Sequence, residues 1–404
     1  MNSDPTVLLS PPGAELLAHL AELSPDALPD LAVATRLRRQ YPPGLVAAAM
    51  AQHELRLAAR AKFSRAARML FTRAGYEQSS SEMIARHRVA RLRHAQTVAD
   101  LCCGIGGDLA ALAASAPGRP LLAVDLNPVH ARLALHNAAT YAAGSAARAC
   151  VADVRDIRLG GVEAAFIDPA RRDGAGRFRA GTSEPPLDWC FGLAGSVPAT
   201  CVKAAPGLDV RIVPAGWEVE FVADGRDLKE AVLWSPALAT APEVAGEPTR
   251  RRATVLPGGH TLIPVPGEPV PVREPGEYLL DPSPAVTRAG LVEDLARKVE
   301  GWKIDPRIAF IAVSREVTTP FARTLRVVDS APWNEKRFAA RLSELGVGAA
   351  DLRRRGLAGD VEAIRRRLRL AGPHRATIAL TRVNDKPWGL ICADLGTALA
   401  ADSD

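Results

Sequence analysis

From residue 14 to 94, apolar positions recur at spacings of three and four among Ala, Leu and Arg, the period of amphipathic helices. Pro42-Pro43-Gly44 and Gly75 interrupt that pattern. Past residue 97 the period changes. Short apolar runs now alternate with helical stretches as far as about residue 240, which predicts an α/β fold with a parallel sheet covered on both faces. Strands are predicted over 97–102, 121–125, 147–151, 164–167, 200–204 and 219–222, and helices over 109–116 and 130–141.

Ten prolines then fall between Pro242 and Pro284. Proline fixes φ and removes a backbone donor, so this stretch reads as an extended connector or edge hairpin. Beyond it, helices are predicted over 285–300, 335–345 and 361–370, and strands over 307–313, 324–328, 376–383 and 388–393. Asn384-Asp385-Lys386 would turn the last two strands into a hairpin. The expected domains are a helical one (1–95), an α/β one ending in the proline-rich connector (96–280), and an α+β one (281–404).

Composition narrows the class. The chain of 404 residues is 48% hydrophobic, and no apolar run approaches the ~18–20 residues of a membrane-spanning helix. The start, Met1-Asn-Ser-Asp-Pro-Thr, has neither the basic stretch nor the apolar core of a signal peptide. Six cysteines form no C-x-x-C pair and no histidines cluster, so neither a disulfide framework nor a metal site is expected. A reducing cytoplasm fits these features, with no membrane partner.

Charge is uneven around a net +6. Residues 36–94 carry thirteen Arg or Lys against three Glu, and residues 336–386 carry thirteen against five acids. Two basic regions suggest an anionic partner such as nucleic acid; the plainer reading is solvated arginine in an Ala/Arg-rich chain.

The chemistry concentrates behind the first predicted strand. Asp100-Leu-Cys-Cys-Gly104-Ile-Gly106-Gly107 is a strand end running into a glycine turn and a helix. Glycine lets a ligand lie against bare backbone. Asp125 closes the next strand and is followed by Leu126, and a carboxylate there can bind both hydroxyls of a ribose. Asp153 and Val154 follow the third strand, and Phe166-Ile-Asp168-Pro169-Ala-Arg171-Arg172 follows the fourth. Ligands in open α/β sheets bind at those carboxyl ends. Cys102 and Cys103 lack a nearby His and read as packing residues, and Lys203 sits at a strand end facing the cleft.

These motifs resemble class I S-adenosylmethionine-dependent methyltransferases, whose signature D-x-x-x-G-x-G-G matches Asp100–Gly107. From about Phe71 to Asp173 the chain is similar to RNA guanine-N2 methyltransferases, trimethylguanosine synthases especially. The resemblance implies a Rossmann-like domain binding S-adenosyl-L-methionine. Asp100, Gly104, Gly106 and Gly107 would approach it, Asp125 and Leu126 would hold its ribose side, and Asp153 and Val154 its adenine. Tyr76-Glu-Gln78-Ser-Ser80-Ser-Glu82 is similar to a stretch that wraps over the cofactor there, which implies contacts from Gln78 and Ser80. Ser79-x-x-Glu82 is also a capping box that would start a helix reaching Arg93.

The segment from Trp333 to Val383 looks like the THUMP-like domain that accompanies such methyltransferases in bacteria. That implies RNA (tRNA or rRNA) as partner, with Arg365, Arg366 and Arg369 turned away from the apolar face of Val361, Ile364 and Leu368. One motif departs from the pattern. Amino methyltransferases carry [DNS]-P-P-[YFW] where this chain has Asp168-Pro169-Ala170-Arg171. Asp168 and Pro169 would still hold an acceptor amine, while Arg171 or Arg172 would stack on a base or pair with an anion. Two alternatives remain open at this point: an RNA-binding protein that keeps the cofactor pocket without catalysis, and a methyltransferase of a small acidic metabolite. An NAD oxidoreductase is disfavoured by Asp100 and by the Asp168-Pro169 step.

Overall fold

The computed structural model describes residues 4–23, 31–170, 183–357, 360–368 and 370–395. The chain divides into two compact units: residues up to Glu218 with Ala231–Thr240, and Val219–Glu230 with the remainder from Ala241.

The first unit begins with helices α1 (Pro11–Leu23), α2 (Leu31–Leu37), α3 (Pro43–Ala59), α4 (Arg73–Gln78) and α5 (Glu82–Val89). Proline opens α1 and α3 at their first positions, where its missing N–H costs nothing. Five parallel strands follow: β1 (Val98–Leu101), β2 (Leu121–Asp125), β3 (Ala147–Val151), β4 (Ala164–Ile167) and β5 (Ala199–Ala204), in the order β3-β2-β1-β4-β5. Helices α6 (Gly107–Ser115), α7 (Pro128–Tyr141) and α8 (Leu187–Gly192) connect them. β1 and β4 are buried along their whole length, as expected of strands covered on both faces. The N-terminal helices are not a separate layer from this sheet. Leu8, Leu16, Val46 and Phe71 share one apolar cluster with Ile105, Ala110, Leu133 and Tyr141, so the helical arm and the glycine turn are held by the same core.

The expected capping box is not formed. Ser79 instead ends α4 and Ser81 is the N-cap of α5 without a side-chain bond, while α5 runs to Val89 and continues as a 3-10 turn to Leu92, close to the expected end. Glu82 makes tertiary bonds in place of the cap. Its Oε2 accepts from the Ser64 N–H (2.7 Å) and the Tyr141 hydroxyl (2.8 Å).

From Val219 on, β6 (Glu218–Asp224) belongs to the second unit, as does the start of β7 (Asp227–Trp234), whereas the end of β7, Ala231–Trp234, belongs to the first unit and pairs antiparallel with β5 there. The second unit adds β8 (Arg250–Leu256) and β9 (His260–Leu262), a hairpin inside the proline-rich stretch. It also holds a seven-stranded sheet built from β10 (Tyr278–Pro282), β11 (Trp302–Lys303), β12 (Ile311–Val313), β13 (Ala322–Pro332), β14 (Val347–Arg354), β15 (His374–Val383) and β16 (Lys386–Asp394). The helix expected over 285–300 is two, α9 (Pro284–Ala289) and α10 (Val292–Lys298), because Gly290 turns left-handed at φ 71°. Helices α11 (Glu335–Glu344) and α12 (Val361–Leu368) bury Phe338, Leu342, Ile364 and Leu368 against this sheet. No helix among the described residues is long and apolar enough to cross a membrane.

Candidate cofactor and acceptor site

The carboxyl ends of β1, β2, β4 and β5 bring four sequence-distant segments together. The parallel register pairs Leu101 with Val124 and with Ile167, and Ile167 with Val202. The residues just past those pairs are Cys102, Asp125, Asp168 and Lys203, so the site is assembled by strand register.

At its base Asp100 is fully buried, and neither carboxylate oxygen has a hydrogen-bond partner. Burial, then the neighbouring charges of Asp108 and Asp168, push its pKa well above the ordinary carboxylate range, while Arg88 opposes them. Arg88 is itself fully buried and donates to Asp108 Oδ1 from Nη2 (2.5 Å) and Nε (3.1 Å), with its guanidinium 5.0 Å from the Phe166 ring. Sequence reasoning missed Arg88; it lies in a helix that reads as surface.

The three glycines of the turn do different things. Gly104 has φ 51° and open space where a side chain would stand. Gly106, at φ 79°, is the N-cap of α6, and a Cβ there would sit 2.6 Å from the Ala134 Cα on α7. A Cβ at Gly107 would make ordinary contacts at 3.7 Å with Phe63 and with Ser79. That last distance places the 78–80 segment beside the turn. Lys62 pins this segment by donating to the carbonyls of Tyr76 (2.8 Å) and Ser79 (3.1 Å), leaving Gln78 exposed and Ser80 half-buried.

Asp125 ties β2 to the turn: Oδ2 accepts from the Gly104 N–H (2.8 Å) and Oδ1 from the Asn127 N–H (2.8 Å). Burial raises its pKa, but His130, 3.6 Å away, and these two N–H groups outweigh that and hold the carboxyl below its usual range. Asn127 caps α7, and Leu126 stands 65% exposed beside the acid, an apolar surface facing solvent. Asp153 is engaged by its neighbour: Oδ1 accepts from the Arg155 N–H and Nε (both 2.9 Å) and Oδ2 from Nη2 (2.5 Å). Val154 begins a cavity of about 590 Å³ lined by Ile157, Arg158, Leu159, Trp189 and Leu193. Trp189 therefore lines a cavity, whereas Trp217 and Trp234 are core.

Past β4, Asp168 is partly exposed, and its Oδ2 accepts from Lys203 Nζ at 2.6 Å. Lys203 is 7% exposed. Pro169 is buried, and Ala170 exchanges both backbone hydrogen bonds with Glu184 at 2.8 Å. Arg171 and Arg172 lie outside the described residues. Burial first, and then Asp125 for Cys102 and Asp100 for Cys103, push both thiols up, so neither is a ready nucleophile. Among the described residues no His, Cys, Asp and Glu group could hold a metal.

Comparison with known proteins places this arrangement. The chain is 36% identical over 326 residues to a Mycobacterium tuberculosis protein, described in strains CDC 1551 and H37Rv alike as an uncharacterized S-adenosylmethionine-dependent methyltransferase. The match spans 78% of this chain and 85% of the relative. A crystal structure of a candidate methyltransferase from Porphyromonas gingivalis W83 superposes with a TM-score of 0.74 at 20% identity, covering 88% of this chain and 92% of that one, a likeness of fold. Residues 322–394 match the THUMP domain-like family, and residues 4–59 match a domain of unknown function.

The site's residues fit the cofactor of that family. Asp100 offers an unpartnered buried carboxylate to a cationic group, Gly104 leaves open backbone, and Leu126 offers an apolar face beside a carboxylate suited to a ribose. The acids Asp100, Asp108, Asp125 and Asp168 outnumber the cations Arg88 and Lys203 around this point, which favours a positively charged ligand. The chain belongs to the family of S-adenosylmethionine-dependent methyltransferases, of the class I Rossmann-like fold, with a THUMP-like domain toward its C-terminus.

Proposed function

We propose that this protein methylates an exocyclic amine of a base in RNA, tRNA or rRNA. The observation that carries the reading is the partly exposed carboxylate of Asp168, held by Lys203 at the carboxyl edge of β4 beside the buried Asp100. The cofactor, when bound, supplies an electrophilic methyl group on a sulfonium.

Asp168 Oδ1, which has no partner among the described residues, accepts an N–H of the amine and turns the nitrogen lone pair toward the methyl carbon. Methyl transfer would leave the cofactor's product a neutral thioether and the amine nitrogen with one proton too many. The nitrogen then sheds one proton, to Asp168 or to water. Positioning of this kind supplies most of what a methyl transfer needs. Pro169 fixes the backbone behind the acid, and Gln78 and Ser80 cover the cofactor from the segment that Lys62 pins. Asp153 and Val154 border the adenine end, and Arg171 and Arg172 meet the base or its phosphates.

RNA as substrate is supported by the match of residues 322–394 to the THUMP domain-like family and by exposed cations in both units. Arg36, Arg38 and Arg39 are exposed at the end of α2, and Arg366 is exposed on α12. Arg365 and Arg367 of that helix are partly engaged by Glu362 and Glu335, and Arg369 lies outside the described residues. A small acidic metabolite is disfavoured by the carboxylates of Asp125 and Asp168, which stand at neighbouring strand ends and oppose a second anion. The six free cysteines agree with a cytoplasmic location. The test is mass spectrometry of RNA nucleosides from cells with and without the protein. A methylated base amine that disappears in its absence is expected, and identical nucleoside profiles would refute the reading.

A further inference from the structure

Asp168 and Lys203 are neighbours by construction, since parallel pairing of Ile167 with Val202 sets the next residue of each strand side by side. Their side chains meet at 2.6 Å between Oδ2 and Nζ. Lys203 is 7% exposed, and that carboxylate is its one hydrogen-bond partner among the described residues. An ammonium has three N–H donors, so two have no partner among the described residues, in a place nearly closed to water. Unused donors so deeply buried are costly unless a ligand takes them.

The pair thus presents an acceptor (Asp168 Oδ1) and a donor (Lys203 Nζ) side by side at the point where the acceptor nitrogen must stand. The chemical group complementary to that edge is an amidine, H2N–C=N, in which an amine and a ring-nitrogen acceptor flank one carbon. Paired donor–acceptor reading of a base edge by one side chain follows the same logic. An isolated amine, as in an alkylamine, would satisfy Asp168 and leave Lys203 without a partner. A carbonyl beside a ring N–H would offer its acceptor and donor with no amine to methylate.

Resting on the base-amine reading above, we infer that Lys203 is a specificity residue: it donates to the ring nitrogen adjacent to the methylated amine, and so selects substrates with an amidine edge. In RNA those are the N2/N3 edge of guanine, the N6/N1 edge of adenine and the N4/N3 edge of cytosine.

The test uses the full-length protein, labelled cofactor and RNA from cells lacking the protein, which first identifies the methylated nucleoside. Short RNAs carrying that nucleoside are then compared with RNAs carrying its deaza analogue, in which the adjacent ring nitrogen is C–H and the amine is kept. Wild-type protein should lose roughly 10- to 100-fold in kcat/KM on the analogue, the range of a hydrogen bond to a charged group. Lys203→Met should be slower on the natural RNA yet nearly indifferent to the replacement, with cofactor affinity by calorimetry kept within about two-fold. Lys203→Arg, which keeps a donor, should keep the discrimination and guards against a Met variant that fails to fold. Equal rates of wild-type protein on both RNAs, or undiminished discrimination by Lys203→Met, overturn the role of Lys203 while leaving base-amine methylation standing. A methyl group found on a carbon, an oxygen or a ring nitrogen, or no label in RNA, overturns both.

Discussion

Arg88 and Asp108, which precede and follow the start of the glycine turn in sequence, meet at 2.5 Å, with the Arg88 side chain wholly shielded from water. The pair joins α5 to the first turn of α6. Two acids, Asp100 and Asp108, depend on this guanidinium, and Asp100 has no hydrogen bond of its own to fall back on. Removing one partner of a buried pair leaves the other charge uncompensated, which costs about 3–5 kcal/mol. Arg88→Met should lower unfolding stability by about that amount, measured by urea denaturation. Arg88→Met, Asp108→Leu, which removes both charges, should recover much of the loss. A single variant as stable as wild type would mean that the pair does not hold the turn.

The position of Asp100 also ties cofactor binding to protons. Its carboxyl is buried among Asp108, Asp125 and Asp168 with Arg88 as the opposing charge, and is held well above the usual carboxylate range, near ~4 in an unfolded chain. A group raised in the folded state stabilises the fold below its unfolded value, and that contribution fades as pH climbs through the folded value. The protein without cofactor should therefore lose thermal stability as pH rises from about 4. A cationic ligand favours the ionised acid, so its binding should release protons and tighten with rising pH up to the folded value. Calorimetry in two buffers of different ionisation enthalpy measures the proton count. Asp100→Asn should abolish the release and weaken binding of the cationic cofactor more than that of its neutral demethylated product. Zero release by the wild-type protein would refute the linkage.

Gly104 and Gly106 should separate binding from folding. Both have positive φ, where a Cβ costs roughly 1–2 kcal/mol. Gly106→Ala adds a collision with the Ala134 backbone, so stability should fall by that strain plus about 1–3 kcal/mol of overpacking, seen as a lower denaturation midpoint. Gly104→Ala meets no protein atom, so its stability loss should stay near the backbone strain alone while cofactor affinity drops at least ~10-fold. Equal stability losses in the two variants would sink this division of labour.

Asp125→Ala should act through two routes. It removes a carboxylate suited to the ribose, and it frees the Gly104 N–H that the acid accepts at 2.8 Å. Cofactor affinity by calorimetry should fall by about 1.4 kcal/mol or more, a decade in Kd. Unchanged affinity would rule out both.

How much of this was legible in the sequence depends on how local each cause is. β2, β3 and β4 match the predicted ranges residue for residue, because each is a short apolar run closed by a turn signal. β7 and β14 went unread. β7 opens with Asp-Leu-Lys-Glu and is apolar only from Ala231 on, while β14 is an edge strand carrying Gly, Ala and Arg, poor strand formers whose place is set by pairing with β15. The Ser79/Glu82 spacing was a correct local signal, overridden when Glu82 took the Ser64 N–H and the Tyr141 hydroxyl. In the site, the acids at strand ends were visible one by one. The partner of Asp168 was not, since Lys203 lies 35 residues away and only strand register joins them. That register was recoverable in principle, because consecutive parallel strands that end in an apolar run put the following polar residues side by side.

If RNA is the substrate, the exposed arginines should announce themselves in salt dependence. Arg36, Arg38 and Arg39 follow one another at the end of α2 without side-chain partners among the described residues. Each phosphate left without its cation flattens the slope of log K against log salt by roughly 0.7–0.9. Replacing all three with Gln should therefore lower the slope by about 2–3 and weaken binding most at low salt. Cofactor binding should not change, since all three side chains are exposed and none is bonded to a segment of the site among the described residues. Arg366→Gln on α12 should lower the slope by less than ~1. Filter binding of RNA across a salt series reads all of this directly. Slopes that match wild type would mean that the arginines are a solvated surface and that RNA is held elsewhere.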